Sequence, residues 1–153
     1  MGRPDMAYWK FTESILQSRP IELFYNGKAR RDFTYIEDIV SAVCRIALDE
    51  RATSFAEAEG RSRVYNIGNH TPVDLLTFVQ TLESALGRKA EVLFMPARPG
   101  DVFETYADVT DLQRDYGFAP DTKLEDGIRV FVDWYTSSWQ PLAEGPHSGG
   151  TYD

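Results

Sequence analysis

The order of apolar patterns along the chain predicts an α/β fold. Stretches with helical spacing alternate with short apolar runs bounded by Gly, Pro and Asn, the arrangement expected of helices packed on a small sheet. A chain of 153 residues that is 42% hydrophobic and 13% aromatic can bury roughly 70% of its unfolded surface. One domain over residues 1–139 is therefore expected, followed by a tail.

Residues 5–18 read as a helix with Asp5 as its cap, Tyr8, Phe11 and Ile15 on one stripe, and Arg19-Pro20 as its stop. The run IELFY, 21–25, reads as a strand, and Asn26-Gly27 as the turn that ends it. RRDFTYI reads as a second extended segment, and 37–49 as a helix on which Ile36, Val40, Val43 and Ala47 align. Cys44 falls inside this apolar pattern, so a core position is expected for it. Residues 51–63 lack any period and predict a surface loop, after which VYNIG, 64–68, reads as a short strand. The next helix has Thr71 as a candidate cap, Pro72 at its first position, Asp74 closing a capping box and Gly87 as its stop, with Leu75, Val79, Leu82 and Leu86 as its stripe. AEVLFM, 90–95, is a further strand before the turn-rich PARPGD. Asp108 is expected to cap a short helix ending at Tyr116-Gly117. Thr122 to Glu125 reads as a second capping box, opening a helix with Ile128, Phe131 and Tyr135 on one face. From Gln140 onward Pro, Gly and Ser dominate, which predicts a mobile tail over 140–153.

A formal charge of −8 argues against nucleic-acid and anionic-membrane partners, both of which need a basic face. The lone cysteine, the lack of a secretory h-region and the lack of a membrane-length apolar run point to a cytoplasmic setting. His70 and His147 have no metal-ligand spacing to each other or to Cys44. No G-x-G-x-x-G, phosphate-loop or nucleophile-elbow motif occurs, and no tyrosine is followed four residues later by lysine. With 24 carboxylates scattered along the chain, no pair stands out as an acid/base dyad.

Two arginine-bearing turns remain. Alternation along RRDFTYI puts Arg31, Phe33 and Tyr35 on one face and Arg30, Asp32 and Thr34 on the other. A guanidinium among aromatics needs an anion, either an internal carboxylate or a ligand. The second turn, Ala97-Arg98-Pro99-Gly100-Asp101, projects Arg98 and Asp101 from a backbone stiffened by Pro and Gly. A structural ion pair at each arginine and a site for a diphosphate beside a ribose are both compatible with these residues.

The motifs GRPDMAYWKFTESIL, RRDFTYIEDIV, VYNIGN, RPGDV, TYADVTDL, GFAP and GIRVFVDWY, in this order, resemble the C-terminal half of the extended short-chain dehydrogenase/reductase family. The likeness is to its NAD-dependent nucleotide-sugar epimerases and dehydratases, the UDP-glucuronate 4-epimerases above all. It implies an α/β substrate-binding lobe of a Rossmann-type enzyme, with the N-terminal Rossmann core absent. It further implies that Arg31 binds the diphosphate of a UDP-sugar, that Arg98 and Asp101 meet phosphate and ribose, and that backbone groups at Glu22 and Phe24 pair with the uracil edge. Arg30 is then a solvent-side residue. The UDP-glucuronate 4-epimerases commonly carry glutamine where Arg98 stands, so the sugar stays open; the choice between epimerase, dehydratase and decarboxylase stays open because the family's discriminating residues lie mostly in its other half.

In that family a Tyr-x-x-x-Lys pair and an NAD loop in the other half take the sugar C4 through a keto intermediate. The expectation for this chain is a truncated or separately encoded lobe that grips UDP, binds no NAD and is inactive alone. A stand-alone sugar-nucleotide module and a non-functional remnant are the alternatives.

Overall fold

The computed structural model describes residues 5–49 and 63–139. The loop expected at 51–63, apart from Arg63, and the tail over 140–153 with His147 lie outside the described residues, as does Gly2-Arg3-Pro4.

Helix α1 (Ala7–Leu16) buries Trp9, Thr12 and Ile15, and Tyr8 and Phe11 pack on the same core. Its N-cap is Met6, with no side-chain cap, so Asp5 does not play the role its position predicts. The Met6 carbonyl accepts from Trp9 and Lys10 instead. The helix also stops ahead of Arg19-Pro20, because Ser18 turns left-handed and the Arg19 amide closes back on the Ser14 carbonyl at 2.8 Å.

Strand β1 (Ile21–Leu23) is shorter than the IELFY run. A 3-10 turn takes over at Phe24, two residues earlier than Asn-Gly alone indicates, and Tyr25, Asn26 and Gly27 all have positive φ. Strand β2 is Arg30–Arg31, and Asp32 to Tyr35 leave the ladder before α2 (Ile36–Ala47). Strand β3 (Val73–Asp74) runs directly into α3 (Leu75–Leu86), whose N-cap is Asp74. Thr71 and Pro72 are therefore outside the helix. Pairing with β2 holds Val73-Asp74 extended, and the helix begins only where that pairing ends. Asp74 accepts from the Thr77 amide at 2.8 Å and hydroxyl at 2.9 Å. Partial burial works against its charge, but these bonds hold the Asp74 carboxyl below the usual range. Gly87, at φ 64°, ends α3 as expected.

Strand β4 (Val92–Phe94) pairs parallel to β1. Strand β5 (Glu104–Thr105) pairs parallel to β2, giving a second sheet in the order β3-β2-β5. Helix α4 (Thr110–Tyr116) follows, with Val109 as its N-cap and no side-chain cap; Asp108 stands one residue ahead of the capping position expected for it, accepting from the Thr110 amide and hydroxyl, and Gly117 at φ 58° closes the helix. Helix α5 (Leu124–Trp134) has Lys123 as its N-cap and no side-chain cap. The Thr122 amide goes to Asp38 instead, so the expected capping box does not form.

The core is the cluster of Ile15, Ile21, Leu23, Phe78, Val79, Leu82, Ile128 and Val132, where α3 packs against α5 and α1. Phe33 stacks on Phe78 with ring centroids 4.2 Å apart. Tyr135 is buried and, with Phe131, packs around Trp9.

Two further expectations fail. Cys44 is exposed rather than in the core. The stripe around it is uncovered too, with Ile36 62%, Val40 51% and Val43 50% exposed, while α2 buries Ala42. VYNIG forms no strand; it runs beside side chains and loop backbone, with the Asn66 side chain donating to the Asp108 carbonyl and the Asn69 amide to the Thr34 hydroxyl. With no ladder partner among the described strands, extended backbone alone does not make a sheet.

The Arg63–Tyr65 end of this segment is tied to α4 through Asp115, which accepts from Arg63 at 2.8 Å and Tyr65 at 2.9 Å. Hydrogen bonding from Arg114, aided by Tyr65 and Arg63, overcomes desolvation and pulls the Asp115 carboxyl down to about 2. A depressed carboxyl stabilises the fold fully above its unfolded pKa of about 3.9 and loses that effect as pH falls through the folded value. Thermal melts between pH 4 and pH 2 are expected to show a steeper fall in Tm for the wild type than for Asp115→Asn. Parallel curves would contradict this anchor.

Candidate functional site

The residues singled out by the sequence meet in one patch, built from the end of β1, the strand β2 and the turn between β4 and β5. The Arg98–Asp101 turn is type II: Gly100 has φ 82° and the Asp101 amide donates to the Arg98 carbonyl at 3.1 Å. The Arg98 guanidinium lies 5.7 Å from the Phe24 ring centroid, within cation–π range. Arg31 reaches Asp101 at 3.2 Å and also donates to the carbonyls of Arg30 at 2.8 Å and Phe103 at 3.1 Å. Of the two anions that the sequence left open for Arg31, an internal carboxylate is present. Arg30 is exposed, as expected, and donates to Glu104 at 2.6 Å and the Pro72 carbonyl at 2.8 Å.

Glu22 sits on β1 with its side chain exposed. The Ile21 amide and the Leu23 carbonyl bond toward β4, so strand alternation turns the Glu22 amide and carbonyl to the opposite edge. No strand pairs with that edge among the described residues. Phe24 lies beyond β1, in the turn, so the two residues are not alternate members of one strand. That part of the expectation is corrected: Phe24 contributes its ring to Arg98, and its backbone no longer continues the ladder.

Two residues that the sequence did not single out complete the patch. The Tyr25 hydroxyl donates to the Asp101 carbonyl at 2.7 Å, and the Tyr25 ring meets the edge of Phe103 at 5.4 Å. Tyr25 does so from φ 54°, a region that bulky residues rarely occupy. The neighbouring Asn-Gly was the one available signal, and it does not say that the left-handed run starts a residue earlier.

Beneath the patch, the Asp32 carboxylate accepts from the amides of His70 at 3.1 Å, Thr71 at 3.4 Å and Ala107 at 3.3 Å. His70 Nδ1 in turn donates to the Ala107 carbonyl at 2.8 Å. Asp32, Thr34 and the segments 66–68 and 105–108 line an open hollow of about 370 Å³.

The arrangement can hold an anion but offers no metal site: no group of His, Cys, Asp and Glu that could hold a metal occurs among the described residues. Among the described residues no glycine-rich turn joins a strand to a helix start. No described helix is long and apolar enough to cross a membrane.

Residues 9–131 match the family model described as GDP-mannose 4,6 dehydratase. The chain belongs to this family. It is a C-terminal part of an extended short-chain dehydrogenase/reductase of the epimerase/dehydratase type. Protein CapI of Staphylococcus aureus is 46% identical over 143 residues, which cover 88% of this chain and 43% of that protein. A probable UDP-glucuronate 4-epimerase of Rhizobium meliloti (strain 1021) is 38% identical over 149 residues, 91% of this chain and 44% of the relative. The UDP-glucuronic acid 4-epimerase of Bacillus cereus, solved with UDP-glucuronic acid and NAD, superposes with a TM-score of 0.74 at 25% identity, over 90% of this chain and 41% of the other. The chain thus spans between 31% and 44% of the length of the curated relatives it matches.

Gly68 sets how closely the Asp32 junction can close. A Cβ there would lie 2.6 Å from the Ala107 Cβ and 2.9 Å from Asp32 Oδ2, inside any real contact distance. Gly68→Ala is expected to destabilise the chain by about 1–3 kcal/mol, read as a lower urea midpoint. An unchanged midpoint would contradict the packing described for this junction.

Proposed function

We propose that this chain grips the UDP part of a UDP-sugar, a UDP-hexuronate such as UDP-glucuronate, as the substrate lobe of an NAD-dependent nucleotide-sugar 4-epimerase, and that alone it turns nothing over. The observation that carries this reading is the meeting of Arg31, Arg98 and Asp101 beside Phe24 and the unpaired β1 edge at Glu22. In the proposed complex Arg31 and Arg98 take the diphosphate, Asp101 a ribose hydroxyl, and the backbone edge at Glu22 the base, with the Phe24 ring beside Arg98.

Such a grip acts far from the reacting carbon. Binding energy at the nucleotide keeps the sugar in place while its own atoms react, which is how remote contacts serve catalysis. NAD and the proton-transferring groups would come from the remaining length of the relatives. The exposed Ile36, Val40 and Val43 stripe and the VYNIG segment, which pairs with no strand among the described residues, favour a docked partner half over a stand-alone module.

Calorimetric titration of the chain with UDP-glucuronate, with NAD as control, is expected to show saturable binding of the first alone. Arg31→Ala is expected to weaken that binding by about 1.5–3 kcal/mol, the worth of a charge-assisted bond to phosphate. An unchanged Kd would leave Arg31 a structural residue. Interconversion of UDP-glucuronate and UDP-galacturonate by the chain with added NAD would contradict the claim of inactivity.

A further inference from the structure

Arg31 is held in two different ways. Both protons of its Nη1 are used on main-chain carbonyls, those of Arg30 and Phe103. Its Nη2 meets a side chain, Asp101 Oδ1, at the longest of the three distances, 3.2 Å. The guanidinium is thus fixed without the carboxylate, and the carboxylate is the partner that can leave.

Asp101 is the converse case, with a fixed backbone and a free side chain. Its amide closes the type II turn on the Arg98 carbonyl, and its carbonyl is held by the Tyr25 hydroxyl at 2.7 Å. Only its side-chain torsions remain to move the carboxylate, which is 37% exposed.

We propose that Asp101 is a specificity-determining residue: its carboxylate occupies Arg31 in the empty site, disfavours bare phosphate or pyrophosphate, and yields to a nucleoside diphosphate because a ribose hydroxyl gives it a new partner. This rests on the reading of the patch as a UDP site and adds how that site rejects ligands lacking a nucleoside. A bare anion must either displace the carboxylate from Arg31 or lie beside it, and like charges at that range repel. Nothing in such an anion rewards the displaced carboxylate. A nucleotide supplies hydroxyl donors on the same molecule that takes Arg31, so the exchange of partners is balanced.

The pair is half-exposed, so solvent screens it and the effect is moderate. The test compares UDP and pyrophosphate by calorimetric titration of the full chain, as wild type and as Asp101→Asn. Removing the charge is expected to tighten pyrophosphate about two- to ten-fold and to weaken UDP, so that preference for the nucleotide falls. Asp101→Ser repeats the comparison with a different neutral side chain, and thermal melts check that both variants fold. Pyrophosphate binding that is unchanged or weaker in both neutral variants, with UDP still bound by the wild type, would overturn this inference alone. A wild-type chain that binds no UDP would overturn the reading beneath it as well.

Discussion

The Asp32 carboxylate is the constraint on which the rest of the site depends. It gathers the amides of His70, Thr71 and Ala107, joining the segment ahead of β3 and the segment after β5 to the end of β2. The strands they adjoin, β3 and β5, flank β2 in the small sheet. With β2 so held, the chain presents Arg31 to the Arg98–Asp101 turn and sends Phe33 into the core against Phe78. The close contact at Gly68 belongs to the same junction. A charged acceptor satisfied by several amides is a strong local tie, and here it links residues more than seventy positions apart in the chain.

Much of this was legible in local patterns. The stripes on α1, α3 and α5, the left-handed stops at Gly87 and Gly117 and the β4 strand all follow from spacing and residue type. What was not legible depended on partners distant in sequence. Thr71-Pro72 has every mark of a helix start, yet pairing of Val73-Asp74 with Arg30-Arg31 delays the helix to Leu75. Thr122 looks like a cap, but Asp38 takes its amide. Tyr25 carries no sequence signal for its positive φ, and so its bond to Asp101 was invisible.

The largest departure, the exposed face of α2, has a different origin. Ile36, Val40 and Val43 have the spacing of a buried stripe, and Cys44 sits among them. Spacing tells that a face is apolar without telling what covers it. The chain spans about 43% of CapI, and the VYNIG segment has no strand partner among the described residues. The arginine patch, by contrast, is assembled from elements within the chain. On the proposed reading, binding and chemistry are divided, with the nucleotide grip built from this chain's own elements.

The most direct test of the central claim, that Glu22, Phe24, Arg31, Arg98 and Asp101 form one nucleotide site, is an amide NMR titration of the chain with UDP. Shifts are expected to concentrate at residues 22–25, 30–32 and 98–104, with α4 and the Trp9 cluster unmoved. Saturating shifts centred elsewhere, or none from a folded chain, would contradict it.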